Sequence, residues 1–348
     1  MLMRTLFEFL QNLSERYSSR DKLLKLYEID AEEHQRQQVY VQWSQTQDDL
    51  PIWYRAWWLN SVCGKKYWSA FLTFQGGELV GVMPYVHSKI LWIKVLHDPP
   101  LTQASGPWLI HRAQLKSHSM ESHMGELAKQ VKSYSLYVQH WHREIDNWLP
   151  FYWKGFKQTT KYTNVLSLTS SIEELRVNFS NRAKRAIKKA ESVSDFELIF
   201  DTEVDSLINV CHKSFERQGL KKALNPRLVQ CLATEAFRHN AIFILTLRRK
   251  SDLKVAASAM FILDGKSAYY LLGGVDSTLR NDGFMSLLLW KAIEHCKGIG
   301  IENFDFEGSM TESIDNFFQN FGAVRRPYYR VIHASSLSLQ ILLEKFLK

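Results

Sequence analysis

Residues 273–308 read GGVDSTLRNDGFMSLLLWKAIEHCKGIGIENFDFEG. Within them Met285, Leu288, Leu289, Ala292, Ile293 and Cys296 fall at i, i+3, i+4, i+7, i+8 and i+11, one apolar stripe of a helix. Gly298 and Gly300 stop it. AYYLLGG ahead of the helix and ENFDFEG behind it read as strands, so the unit is strand, loop, helix, strand. A helix N-terminus presents unpaired N–H groups and partial positive charge, which together bind phosphate. A glycine there lets a ligand approach the backbone, and a nearby arginine adds a charge-assisted contact. Arg280, Asn281, Asp282, Gly283 and Phe284 supply those features in that order. In an ordinary strand-to-helix turn, Asp282 would instead serve as the N-cap.

Working upstream, Glu203–Gln218 carries Val204, Leu207, Ile208, Cys211 and Phe215 on one helical face, and a second helix follows Pro226. AIFILTLRR (241–249) is a strand, and VAASAMFILDGKSAYYLLGG (255–274) is a hairpin turning at Asp264-Gly265. Downstream come a short helix in TESIDNFFQNFG and the strand YYRVIH. The order predicted for this half is α-α-β-β-β-α-β-α-β.

The N-terminal half gives a helix over Trp53–Val62, strands at Tyr67–Gln75 and Glu78–His87 about a Gly76-Gly77 turn, a helix near Ala113–Lys132 and the strand SLYVQHW. The ends of the two halves align: each has a strand, Ile-Asp-Asn (145–147 and 314–316), paired aromatics, a glycine and a Tyr-containing strand. A tandem duplication produces such a pattern. The expected domains are 1–168, a basic helical connector at 169–192, and 193–348. Ser171 and Glu174 form a capping box at the start of the connector, and NRAKRAIKKA (181–190) concentrates Arg182, Lys184, Arg185, Lys188 and Lys189. Such a run is either a solvated helix face or a phosphate-contacting one.

The chain has 348 residues, 45% hydrophobic and 23% charged, the balance of a globular protein long enough for two domains. Its net charge of +8 fits a phosphate-bearing partner: CoA, a nucleotide-linked precursor, tRNA or an anionic membrane surface. No recognisable nucleic-acid module is present. Eleven Trp, concentrated in the N-terminal half, suit a large core or an apolar-substrate groove. Four cysteines without a CxxC pair exclude a disulfide framework and a thiolate zinc site, and Cys211 and Cys296 are expected in packed interiors. His140 and His142, with His111, His118 and His123, lack the spacing of a metal site, so none is expected. Neither a GxSxG elbow nor a Walker loop occurs. The amphipathic N-terminus lacks the features of a secretory signal and no stretch could span a membrane, so a cytoplasmic location is expected, with peripheral membrane contact compatible.

The turn at 280–283 resembles the acyl-CoA loop of the GNAT superfamily, Arg/Gln-x-x-Gly-x-Gly/Ala, at the same strand–helix junction. Arg280 and Gly283 match its first two fixed positions; Met285 stands where the family prefers Gly or Ala, and Asp282 adds a negative charge. The longer run from Gly273 through DFEGS to YYRV, together with GELVGVMPYV (77–86), PPLTQASGPWL (99–109) and NRAKRAIKKAE (181–191), resembles the FemAB-like or BioF2-like, methicillin-resistance-type branch, over roughly residues 45–332. That resemblance implies an α/β (α+β) fold of two tandem GNAT-like domains with mixed central sheets. It implies N-acyl transfer, with acyl-CoA as co-substrate and an amine on a cell-envelope, lipid or polysaccharide precursor as acceptor. Classical members of the branch use aminoacyl-tRNA on a peptidoglycan precursor, which stands as the alternative donor.

The chemistry is attack of an amine on a thioester or ester carbonyl, which needs a base and oxyanion donors. Asp305 and Glu307 alternate along ENFDFEG and are therefore expected on one side, with Glu307 the preferred base. They could equally hold a basic neighbour or cap the following helix. Many GNAT enzymes carry a general-acid Tyr in a helix FY-x-x-x-GF. The corresponding position here is Phe318, leaving Tyr328 or Tyr329 to substitute. Donor contacts are expected from Leu272, Gly273 and Gly274 besides 280–284, and phosphate or RNA contacts from Arg182, Arg185 and Lys189. The N-terminal domain, without such a loop, is expected to shape the acceptor pocket. A non-catalytic binding protein with a degenerate GNAT fold is the reading from another class.

Overall fold

The strongest periodic signals become the walls of two units. In the computed structural model the structure describes residues 26–90, 93–110, 116–217, 224–279, 282–308 and 310–346. One unit comprises 1–161 and 327–348, the other 162–326.

In chain order, the first unit contains α1 (Ala31–Ser44), a 3-10 turn (Ile52–Tyr54), α2 (Ala56–Cys63), β1 (Trp68–Gln75), β2 (Glu78–Ile90), β3 (Ile93–His97), β4 (Trp108–Leu109), α3 (Ser117–Val131), β5 (Leu136–His140) and α4 (Leu149–Tyr152). β6 (Lys157–Ser167) then carries the chain into the second unit. That unit contains α5 (Ile172–Asn178), α6 (Asn181–Glu191), β7 (Phe196–Asp201), α7 (Asp205–Arg217), α8 (Pro226–Arg238), β8 (Ile242–Arg249), β9 (Val255–Asp264), β10 (Ser267–Val275), α9 (Phe284–Gly298), β11 (Asn303–Asp305) and α10 (Glu312–Gln319). β12 (Val324–Ala334) leads back to the first unit, followed by α11 (Leu337–Phe346).

The duplication is visible in the strand orders. In the first unit β1 pairs antiparallel with β2, β2 antiparallel with β3, β3 parallel with β5, and β5 antiparallel with β12. In the second, β8–β9–β10 repeats the antiparallel meander, β10 pairs parallel with β11, and β11 antiparallel with β6. Each unit is thus a mixed sheet with one parallel pair. The closing strand is the surprise: β12, from the end of the chain, completes the first unit, and β6 completes the second. The expected boundary at 168 and an uninterrupted 193–348 domain therefore give way to the ladder Arg330↔His140 through Ala334↔Leu136.

The segment 169–192 is likewise no free connector. Its helices bury Leu175, Phe179, Ala183, Ile187 and Ala190 in one core with Phe284, Leu288, Trp290 and Ile293 of α9. The apolar residues recur at helical spacing beneath the basic ones, so one face packs and the other carries the charge. Alternate residues of β8 and β9, such as Ile244, Met260 and Ile262, are fully buried outside that core, where α7 and α8 lie on the strands. Both faces of this sheet are covered, which is why its strands read as nearly continuous apolar runs.

Capping residues place the helix starts. Ser171 and Glu174 form the expected capping box. Asp30 and Glu33 form another at α1, a polar helix that the sequence pattern did not reveal. α6 is capped by Ser180, whose hydroxyl accepts from the Ala183 N–H. Cys211 and Cys296 are fully buried, as expected of packed thiols. No helix among the described residues is long and apolar enough to cross a membrane.

Candidate active site

β10 and β11 run together only briefly, from Ser267↔Asn303 to Tyr269↔Asp305. β11 ends there, and the chain beyond it stays with β6: the Phe306 N–H donates to the Asn164 carbonyl at 2.9 Å. A Cβ on Gly308 would stand 2.0 Å from the Tyr162 carbonyl oxygen, so only glycine fits this approach. β10 meanwhile continues to Val275, with a register shift against β9 between Tyr270 and Leu272. The two parallel strands therefore part after Tyr269 and Asp305. The β10–β11 ladder has its last pair at Tyr269↔Asp305. Parting strands are a place where an extended amide-bearing ligand can pair with backbone groups.

Glu307 stands where the strands part. It is 6% exposed and has φ +61°, a left-handed conformation that costs a non-glycine residue energy and clusters at functional sites. The cause is local. The Asp305 carboxylate, fully buried, accepts the Glu307 N–H at 2.9 Å and the Thr163 hydroxyl on the same oxygen. The expected alternation of Asp305 and Glu307 along one strand is therefore replaced by a turn in which Asp305 holds the backbone of Glu307.

Tyr270 belongs to this neighbourhood and was not singled out in the sequence. Its hydroxyl donates to the Met285 sulfur at 3.8 Å, and its ring lies edge-on to Phe318 with centroids 6.1 Å apart. Burial, then Cys211 and Glu307, push its phenol well above the ordinary range, so it remains a donor through the neutral range. A Cβ on Gly273 would stand 2.2 Å from the Tyr270 hydroxyl, so the glycine makes room for the ring. Phe318, at the position of the family's acid, is buried and stacked on Phe306 at 5.2 Å. The Tyr270 phenol thus neighbours Phe318, on a strand rather than a helix.

Around the turn, Asp276 shapes the loop by accepting from the Thr278 N–H (2.9 Å) and hydroxyl (2.6 Å). These contacts, Thr278 first, hold its carboxyl down to about 2. Arg280 and Asn281 lie outside the described residues. The N-cap of α9 is Gly283 with φ +78°, not Asp282, and no side chain caps the helix. Its first amides are accordingly left without a side-chain acceptor. Asp282 pairs with Lys189 of α6 at 2.9 Å, which offsets the negative charge beside the turn. An uncapped glycine-led helix with its adjacent acid already paired fits a phosphate-bearing ligand.

Other candidates are elsewhere. Leu272 is buried, and Gly274 abuts α7, where a Cβ would stand 2.4 Å from the Val210 carbonyl. Phe284 is buried in the α6–α9 core. Arg182 and Arg185 are exposed on α6. Tyr328 and Tyr329 belong to the first unit: Tyr328 lies 6.2 Å from the His140 ring and Tyr329 6.5 Å from that of Trp148. His140 has a carboxylate partner that sequence spacing hid, its Nδ1 lying 2.7 Å from Asp98 Oδ2. No group of three metal-ligating side chains gathers among the described residues.

Residues 177–313 match the family model described as acetyltransferase (GNAT) domain. FemX is similar in structure with a TM-score of 0.62 at 11% identity, over 89% of this chain and 98% of its own. The C-terminal domain of a putative lysylphosphatidylglycerol synthetase from Agrobacterium fabrum gives 0.53 at 14%, over 90% and 95%. A tandem GNAT protein from the clavulanic acid biosynthesis pathway gives 0.52 at 8%, over 88% and 96%. No curated protein matches in sequence. Residues 177–313 thus match a GNAT acetyltransferase domain, and the chain as a whole shares its fold with FemX and with a tandem GNAT protein.

Proposed function

We propose that the second unit holds an acyl-CoA where β10 and β11 part, with its pyrophosphate at the N-terminus of α9, and passes the acyl group to an amine. The observation that carries this reading is the parting of β10 from β11 after Tyr269 and Asp305, with Glu307 just beyond β11 and Gly283 leading the helix that follows β10. In the step, the amine nitrogen attacks the thioester carbonyl carbon and the carbon–sulfur bond breaks. Glu307 takes the amine proton, and the thiolate leaves to collect a proton. Tyr270 is placed as a donor to developing negative charge, and Asp305 positions Glu307. Of the β10 residues expected at the donor, Leu272, Gly273 and Gly274 would contribute through their backbone, and Arg280 and Asn281 through the pyrophosphate loop. The acceptor is an amine on a cell-envelope, lipid or polysaccharide precursor, selected by the aromatic-rich first unit with Tyr328 and Tyr329. The FemAB-like resemblance and the structural likeness to FemX and a lysylphosphatidylglycerol synthetase domain support that class.

One observation favours aminoacyl-tRNA as donor instead: the exposed Arg182, Arg185 and Lys188 lie on the helix whose Lys189 reaches Asp282 at the loop. Calorimetry with acetyl-CoA beside filter binding of charged tRNA separates the readings, since RNA binding weakens steeply with salt. With acyl-CoA as donor, Arg280→Ala raises the donor KM; unchanged kinetics would remove the loop from the site.

A further inference from the structure

Arg330 of the first unit is 2% exposed, and its Nε and Nη2 find no hydrogen-bond partner among the described residues. Burying a guanidinium without a partner is among the more costly arrangements a fold can hold. The charge persists, because burial lowers its pKa only to about 10, with Tyr328 and Asp98 acting in the opposite direction. Asp98 does not relieve it by direct pairing. Its carboxylate is engaged by His140, through Nδ1 at 2.7 Å and the backbone N–H at 2.9 Å, and by the Ser105 hydroxyl.

The surroundings are those of a built site. Arg330 is directly opposite His140 on the β12–β5 ladder, so the two side chains project from the same face. Tyr328, two residues away on β12, shares that face, and its ring lies 6.2 Å from the imidazole. Asp98 fixes the orientation of the imidazole, as a carboxylate does behind a functional histidine. A planar fork of donors beside an oriented histidine and a tyrosine matches an oxyanion and offers nothing to a cation.

We propose that the first unit binds an oxyanion at Arg330, with His140 and Tyr328 alongside, and that this oxyanion is a phosphate or carboxylate of a ligand. Its residues all belong to the first unit, and binding there does not depend on which donor the second unit uses. The test uses the full chain without donor. Thermal unfolding is followed while inorganic phosphate or acetate is titrated against sodium chloride of equal ionic strength. The wild type is expected to show a saturable rise of about 2–4 °C with one of the two anions. The more effective anion names the source, phosphate or carboxylate. Arg330→Met should unfold at a higher temperature than the wild type without ligand, because it removes a buried unpaired charge, and should lose the anion response. Arg330→Lys keeps the charge and should respond more weakly, which covers the case of a Met variant that does not fold. An equal response in Arg330→Met, or no response to either anion in the wild type, overturns the proposal.

Discussion

Gly283 faces Ala186 across the α9–α6 contact so closely that an added Cβ would stand 2.1 Å from the Ala186 carbonyl oxygen. The glycine of the proposed donor loop is therefore set first by helix packing. Its φ of +78° and the approach of α6 both exclude a side chain, and any ligand benefits from a turn that the core already demands.

Gly283→Ala should accordingly cost about 2–4 kcal/mol of stability, combining left-handed strain with overpacking against backbone. Denaturant unfolding measures it. A glycine kept only for ligand access would leave stability unchanged and raise the donor KM alone, so the two origins are separable in one variant.

The Lys189–Asp282 pair joins the basic helix to the loop at 2.9 Å. Both side chains are substantially exposed, so the pair itself contributes little to stability. Its effect should appear in binding: Asp282→Asn removes a negative charge beside the anion site and should tighten CoA binding, more at low salt than at high. Lys189→Ala should do the reverse. Calorimetry at two salt concentrations checks both, and affinities that do not move would detach α6 from the site.

How much of this could be read in the sequence follows from which forces are local. The stripe from Met285 to Cys296, the Asp264-Gly265 hairpin and the Ser171–Glu174 box are set by residues within a few positions of each other, and all three appear as read. The repeat was legible too, although Ile145–Asn147 stands just ahead of α4 whereas Ile314–Asn316 lies within α10. The closing strands were not, since β6 and β12 have similar patterns and only the ladder says which unit each completes. At the site the same division holds. Gly283 and Glu307 stand out locally, whereas Asp98 meets His140 across 42 positions and Tyr270 meets Phe318 only once the sheet is formed. Helix α1 was hidden because it is anchored by polar contacts, not by an apolar stripe.

That anchor carries a pH dependence. Glu33 on α1 is 4% exposed and accepts from Tyr134 (2.7 Å) and Tyr85 (2.9 Å), with His87 Nδ1 at 3.3 Å. Burial would raise its pKa. The contacts from His87, the Asp30 backbone and Tyr134 outweigh that and hold it at about 2, below the ordinary 4.5. A depressed carboxylate stabilises the fold above its unfolded pKa, and that contribution is lost as pH falls from about 4.5 through about 2. Glu33→Gln should flatten the stability profile across that window and lower stability at neutral pH. An acid limb identical to the wild type would place the dependence elsewhere.

Glu307 and Asp305 make separable predictions because one is proposed as the base and the other as its positioning residue. Glu307→Gln keeps the side-chain shape but removes the proton acceptor, so kcat should fall by about 10²–10⁴ with stability and donor KM nearly unchanged. Asp305→Asn keeps a side-chain oxygen that can still accept from Thr163 and from the Glu307 N–H, so its loss should be smaller, and the pH profile should keep the basic group that Glu307→Gln abolishes. Asp305→Ala frees the strained Glu307 backbone, and both kcat and unfolding temperature should drop. If Asp305→Asn lost as much kcat as Glu307→Gln at full stability, the base would be Asp305, with Glu307 held beside it.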